Sequence, residues 1–108
     1  METDQAYENI IQELRRGVLL LAVLSQLEQE QYGYSLMKLL SERGLEIDQG
    51  TLYPLLRRLE AQGLLESLWR VEEARPRRYY AISPQGRKLL ARLKEEWERL
   101  TALMGQLL

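Results

Sequence analysis

This 108-residue chain contains no cysteine and no histidine. Without either, nearly every zinc or haem site is excluded, so no metal or cofactor is expected. Cys–His and Ser–His nucleophilic catalysis is excluded for the same reason. No run of 18 apolar residues occurs, so no membrane span or membrane partner is expected. The opening Met1-Glu2-Thr3-Asp4-Gln5 is acidic and lacks the basic segment of a signal peptide, and a cytoplasmic location is expected. There is no glycine-rich phosphate loop. Carboxylates such as Glu66, Glu72 and Glu73 have no spacing that brings them together in a cleft, so an enzyme is not expected. The length fits one domain, and a hydrophobic content of 45% is enough for a core.

The most informative stretch is Asp48-Gln49-Gly50-Thr51-Leu52-Tyr53-Pro54-Leu55-Leu56-Arg57-Arg58-Leu59-Glu60. On a helix, Leu52, Leu55, Leu56 and Leu59 form one apolar stripe. Opposite lie Gly50, Pro54, Arg57 and Ala61, flanked by Tyr53 on one side and by Thr51 and Arg58 on the other. That face is nearly bare where a solvated helix would carry Glu, Lys and Gln. It can approach another surface closely, and a major groove about 12 Å wide admits such a helix. The alternative is an ordinary surface helix.

The second informative stretch is Arg75-Pro76-Arg77-Arg78-Tyr79-Tyr80, between strand-like runs at Leu65–Val71 and Arg78–Ser83. The chain therefore reads as helix, two-stranded hairpin with an arginine tip, then long helix. Such arginines can neutralise phosphates or enter a narrow minor groove; a solvated charged turn is the alternative. Net charge is only −1, but it is segregated. Residues 1–13 hold four acids and no base, while residues 70–88 hold six bases and two acids.

Tyr32-Gly33-Tyr34, the run Gly50 to Leu59, Gly63-Leu64-Leu65 and Arg75 to Tyr80 together resemble the PadR family of bacterial winged-helix transcriptional regulators, over about residues 14–97. The short length resembles the subgroup with a single C-terminal helix. The resemblance implies a mainly α fold with a two-stranded hairpin: a winged helix-turn-helix over residues 9–83 and a dimerisation helix over 84–108. It implies a double-stranded DNA operator as partner. The DNA-binding candidates are Tyr34, Ser35, Lys38, Gln49, Gly50, Thr51, Tyr53, Pro54, Arg57, Arg75, Arg77 and Arg78, with Gly50 and Thr51 near phosphate and Tyr53 and Arg57 in the groove. Tyr34 could equally be core. Members usually carry glycine just before the wing arginine. Ala74 stands there in this chain, so a longer loop is expected at the tip.

The first helix is expected from about Asn9 to Glu28, with fraying before it. Gln29–Gln31 reads as a connection. The second helix runs from about Gly33 to Arg43 with Leu36, Met37, Leu39 and Leu40 inward, and Gly44 ends it. Asp48 caps the third helix; a Thr51 cap would instead place Pro54 in the tolerant first turn. Gly63 ends that helix, and Ser83-Pro84 opens the last. The last helix, about 37 Å long at 1.5 Å per residue, carries Leu93, Trp97, Leu100, Met104 and Leu107 at heptad spacing. Ile10, Ile11, Leu14, Val18 and Leu21 form a second stripe on the first helix. Both stripes exceed one small core, and a two-fold homodimer would cover them. Trp97 resembles the residue with which some short PadR-like regulators hold flat hydrophobic compounds, which implies a planar hydrophobic or phenolic effector; simple packing is the alternative. The function expected is a ligand-responsive repressor on a pseudo-palindromic operator. A winged-helix protein-interaction module that has lost DNA is the other reading.

Overall fold

A computed structural model describes residues 2–108, with side chains from Thr3 onward. Four helices and three strands follow in the order α1 (Glu2–Ser25), β1 (Gln31–Tyr32), α2 (Gly33–Glu42), α3 (Gln49–Ala61), β2 (Leu65–Glu72), β3 (Arg75–Ile82) and α4 (Pro84–Leu107). The core is largely leucine. Leu52, Leu55, Leu56 and Leu59 of α3 meet Leu36 and Leu40 of α2, Val23, Leu24 and Leu27 at and just past the end of α1, and Leu65, Tyr80 and Ile82 of the sheet. α4 adds one fully enclosed leucine, Leu90, with Leu89 and Leu93 half-buried beside it. Truncating a buried leucine such as Leu56 to alanine typically costs about 2–5 kcal/mol.

Both predicted glycine stops are present. Gly44 and Gly63 take φ of +93° and +78°. At each, the next residue's N–H reaches back to a helix carbonyl: Leu45 to Leu40 and Leu64 to Leu59, both at 2.9 Å. These are Schellman caps, in which a left-handed residue lets the chain double back. Asp48 is the N-cap of α3, so Pro54 lies inside the helix rather than in a first turn opened by Thr51. Having no N–H, Pro54 cannot bond the Gly50 carbonyl.

Four expectations need correction. α1 starts at Glu2, not near Asn9, because residues 2–8 contain no helix breaker and acids suit a helix N-terminus. It ends at Ser25, not Glu28, as the Leu27 carbonyl turns to accept the Ile82 N–H at 2.7 Å. The sheet has three strands in the order β1-β3-β2, since Gln31 and Tyr32 pair with Tyr80 and Tyr79. The hairpin tip is a two-residue turn, not a longer loop. Glu73 and Ala74 take φ of +52° and +63°, the pattern that fits right-twisted strands. Non-glycine residues adopt it at a cost of about 1–2 kcal/mol each. Arg75 and Arg77 consequently lie in β3, opposite Glu72 and Arg70. Pro76 is accommodated because β1 ends short of it, leaving that stretch of β3 an edge.

A radius of gyration of 15.9 Å exceeds the roughly 13 Å of a compact chain this long. The excess comes from the first half of α1 and the last half of α4, which leave the core.

α3 and α4 are joined at one backbone crossing. The Ser83 hydroxyl donates to the Gly63 carbonyl at 2.6 Å and accepts from the Gly86 N–H at 2.9 Å. A Cβ on Gly86 would lie 2.2 Å from the Leu64 carbonyl oxygen and 2.8 Å from Ile82 Cγ1. Gly86→Ala should therefore lower thermal stability by about 1–3 kcal/mol, the usual range for overpacking. In Gly105→Ala, where nothing lies within 4 Å, melting should be unchanged or raised by up to about 1 kcal/mol. Thermal denaturation of the two variants checks the contrast.

Candidate nucleic-acid interface

The leucine stripe of α3 is buried, and the face opposite is open as expected: Gln49, Gly50, Thr51, Pro54, Arg57, Arg58 and Ala61 are exposed. The Asp48 side chain makes no bond to the first turn, so N–H groups there remain turned to solvent at the positive end of the helix. A Cβ on Gly50 would meet only Asp48 Oδ2, at 3.4 Å. The position is open space in the free protein, and glycine there leaves room for something outside it.

Tyr53 has a second role that its position in the motif hides. Its ring lies against Gly33, where a Cβ would come within 2.2 Å of Cε1. Gly33 is therefore small because Tyr53 covers it, and Tyr53 is half-buried rather than free. Tyr34 is 61% exposed, which settles it as a surface residue. Lys38 is exposed one turn further on. Ser35 is occupied locally: its hydroxyl accepts from the Tyr32 N–H at 3.1 Å and lies 2.8 Å from Gln31 Oε1. It fixes the start of α2.

The hairpin arginines are not equivalent. Arg78 NH2 pairs with Glu60 Oε1 of α3 at 2.6 Å, and its Nε donates to Ser67 Oγ at 3.1 Å; Ser67 in turn donates to Glu60. The guanidinium also lies 5.4 Å from the Tyr80 ring centroid and 5.8 Å from that of Trp69. Arg77 pairs with Glu72 at 3.3 Å and lies 4.6 Å from the Tyr32 ring. Arg70 pairs with Glu30. Arg75 is exposed and makes no ion pair among the described residues. So Arg78 chiefly ties the hairpin to α3, and Arg75 is the hairpin arginine left fully available. Two of the neutralising acids, Glu30 and Glu60, lie outside the segment whose charge counts as basic in sequence.

Tyr79 completes the outer face. Its hydroxyl donates to Glu72 Oε1 at 2.9 Å, and its ring meets Tyr32 edge-on at 5.4 Å. Burial pushes this phenol above its ordinary range, and the bond to Glu72 adds to the rise, so it stays a donor at neutral pH. Between α3 and the hairpin lies a cleft of about 340 Å³, lined by Tyr53, Arg57, Trp69, Arg78 and Tyr80 among others. Trp69 is the residue here that sequence patterning missed; it reads as one more strand aromatic until the register turns it toward α3.

The seam candidates divide. Ile11, Val18 and Leu93 are half-buried, and Leu93 packs on the core. Leu14, Trp97, Leu100 and Met104 are exposed by 69%, 44%, 41% and 43%, and Ile10 by 61%. The open stripe begins where Leu93 ends its contact with the body.

If Glu60 holds the hairpin through Arg78, Glu60→Ala should loosen the hairpin while the leucine core stays intact. Amide hydrogen exchange should speed up across residues 66–80 and stay near wild type at Leu52–Leu59. Uniform acceleration would mean that the ion pair supports the whole fold instead.

The chain matches the model of the Transcriptional regulator PadR-like family over residues 20–92. It is 40% identical over 91 residues to Transcriptional regulator Rv3488 of Mycobacterium tuberculosis, covering 83% of this chain and 85% of the relative. Its fold is similar to that of a PadR family transcriptional regulator from Eggerthella lenta, with a TM-score of 0.90, 43% identity, and 99% and 96% of the two chains covered. A transcriptional regulator from Clostridium thermocellum is similar at a TM-score of 0.78 and 33% identity, over 87% of this chain and 96% of that one. The open face of α3, the hairpin beside it and these likenesses agree: the chain belongs to the PadR-like family of transcriptional regulators, DNA-binding proteins and not enzymes.

Proposed function

We propose that this chain binds a pseudo-palindromic operator as a homodimer and acts as a ligand-responsive repressor. The observation that carries the reading is that two unmet surfaces lie on one body: a bare, cation-edged face on α3, and an exposed apolar stripe along α1 and α4. The stripe accounts for the dimer. Ile10, Leu14, Trp97, Leu100 and Met104 leave apolar area in water that an isologous pairing would cover. The bare face accounts for the operator. In a two-fold dimer two copies of α3 face successive major grooves about one helical turn apart.

Within each half-site, Gly50 and Thr51 sit near a phosphate at the α3 N-terminus, and Arg57 reaches base edges. Gln49 and Pro54 border that contact. Tyr34 and Lys38 of α2 and Arg75 of the hairpin reach backbone on either side. Arg77 and Arg78 contribute charge to the field but are held by their own acids. Repression follows from occupying the operator. A planar hydrophobic or phenolic compound seated at Trp97, near the two-fold axis, would act by shifting the spacing of the two α3 helices.

Two experiments test the two surfaces separately. Gly50→Leu should leave thermal stability near wild type, since its Cβ has room, and should abolish operator binding in a mobility-shift assay. Normal binding by that variant would mean that α3 presents another face. For the dimer, the wild-type protein should sediment at twice its 12.7 kDa mass, and Trp97→Ala should weaken association by about 3–5 kcal/mol, as for a buried tryptophan. Monomer at micromolar concentration sinks the dimer. Effector action carries its own check. A planar compound that quenches Trp97 must lower DNA affinity by the factor by which DNA lowers its own.

A further inference from the structure

The hairpin register places Trp69, Val71 and Pro76 on the same face as Leu65, Ser67, Tyr80 and Ile82. Near the body that face is covered: Leu65, Tyr80 and Ile82 are buried, and Ser67 bonds Glu60 of α3. Beyond Ser67 the face continues past the body, still turned to the side where α3 presents Arg57. There it is apolar and open, with Trp69 63% and Val71 75% exposed and Pro76 beside them. Large apolar side chains grouped this way on a small chain mark a contact surface.

Three observations identify the occupant. Trp69 lines the cleft between α3 and the hairpin together with Arg57, so the patch is continuous with the candidate DNA face. The exposed cation Arg57 lines that cleft and the Arg78 guanidinium lies against the indole on the same face, which suits a polyanion and not an acid-free apolar partner. The patch is also held in place. Arg78 beside the indole is anchored to Glu60 and Ser67, and the two-residue tip fixes the hairpin end. There is a need for such a contact as well. Arg70, Arg77 and Arg78 are committed to Glu30, Glu72 and Glu60, so this hairpin has less free charge for phosphates than its composition implies.

We propose that Trp69, with Val71 and Pro76, is an apolar DNA contact that packs on the deoxyribose faces of the strand bordering the α3 groove. The proposal rests on the DNA-binding reading of α3 and adds to it a contact whose energy is dispersion and dehydration, not counterion release.

The difference is measurable, because only charge contacts move the salt dependence. A duplex selected by the wild-type protein from a randomised pool serves as probe, with binding measured across a salt series. Trp69→Ala, at an exposed position, should melt like wild type. It should lose about tenfold in affinity at every salt concentration, with the slope of log affinity against log salt unchanged. Trp69→Phe should keep most of the affinity. Arg75→Ala should lower the slope by about 1. The shift and quench of tryptophan emission that the duplex produces in the wild-type protein should be largely absent from Trp69→Phe, whose one tryptophan is Trp97. Wild-type affinity in Trp69→Ala, or emission indifferent to saturating duplex, overturns the proposal while leaving α3 as the DNA face. A loss of affinity that also flattens the salt slope overturns it too, since Trp69 would then act only by placing Arg78. If wild type selects no duplex, the DNA reading fails first and this contact with it.

Discussion

Ser83 is a small buried hydroxyl on which the geometry of the whole molecule turns. Its oxygen closes the first turn of α4 at Gly86, its hydrogen goes to the Gly63 carbonyl at the end of α3, and its own N–H bonds the Leu64 carbonyl at 3.0 Å. Two helix ends and a strand end meet within three consecutive contacts. The crossing is tight enough that Gly86 has no room for a methyl group against the Leu64 oxygen. A buried hydroxyl with both donor and acceptor capacity used is costly to remove, because each lost partner leaves a desolvated polar group. The helix with the bare, open face and the helix with the exposed apolar stripe are thus fixed to one another through a Ser83-mediated backbone crossing, not through long side chains that could swing.

That joint was legible in outline. Ser83-Pro84 reads as a cap followed by a first-turn proline, and Gly63 as the stop of α3, because both depend on local backbone chemistry that a sequence displays directly. The leucine stripe of α3 was legible for the same reason, as were Gly44 and the bare face around Gly50. What local pattern could not show was pairing across distance. A two-residue strand at Gln31–Tyr32 has no period to detect, and it exists only because β3 offers it a partner. Ala74, lacking glycine's freedom at positive φ, argues for a longer loop at the hairpin tip. The matched strands of β2 and β3 instead draw Glu73 and Ala74 into positive φ. Likewise the arginines read as a free basic patch, since Glu30 and Glu60, which neutralise two of them, are far away in sequence. The face that Trp69 takes is set by the strand register, which its neighbours in sequence do not show.

The charge arrangement bears on how a protein of net charge −1 handles DNA. Ion pairs such as Arg78–Glu60 sit in partial contact with solvent and contribute little net stability. Their value is positional: a guanidinium with two acceptors and two aromatic rings around it has few alternative rotamers. A hairpin held this way presents fixed contacts at the expense of free positive charge. In the proposed DNA complex, the reduced free charge would weaken non-specific binding and leave discrimination to fit.

The joints within the chain constrain how a signal could be transmitted in the proposed dimer. α3 and α4 share the Ser83–Gly86 crossing, and the hairpin is positioned against α3 through Glu60. An equilibrium between binding and non-binding forms of the proposed dimer would then lie between subunits, at the seam. In the proposed dimer the seam is formed by long helices that leave the core after Leu93, and a small rotation there is carried outward to α3. Two α3 helices must match half-sites about one turn of DNA apart, so a change of a few ångströms at the seam is enough to lose one of them. A compound that prefers the mismatched packing need only bind it more tightly than the matched one. The shift it achieves is limited by that difference in affinity and not by how tightly it binds overall. Trp97 is suited to such a role because it stands on the open stripe at 44% exposure, outside the core that holds the subunit together.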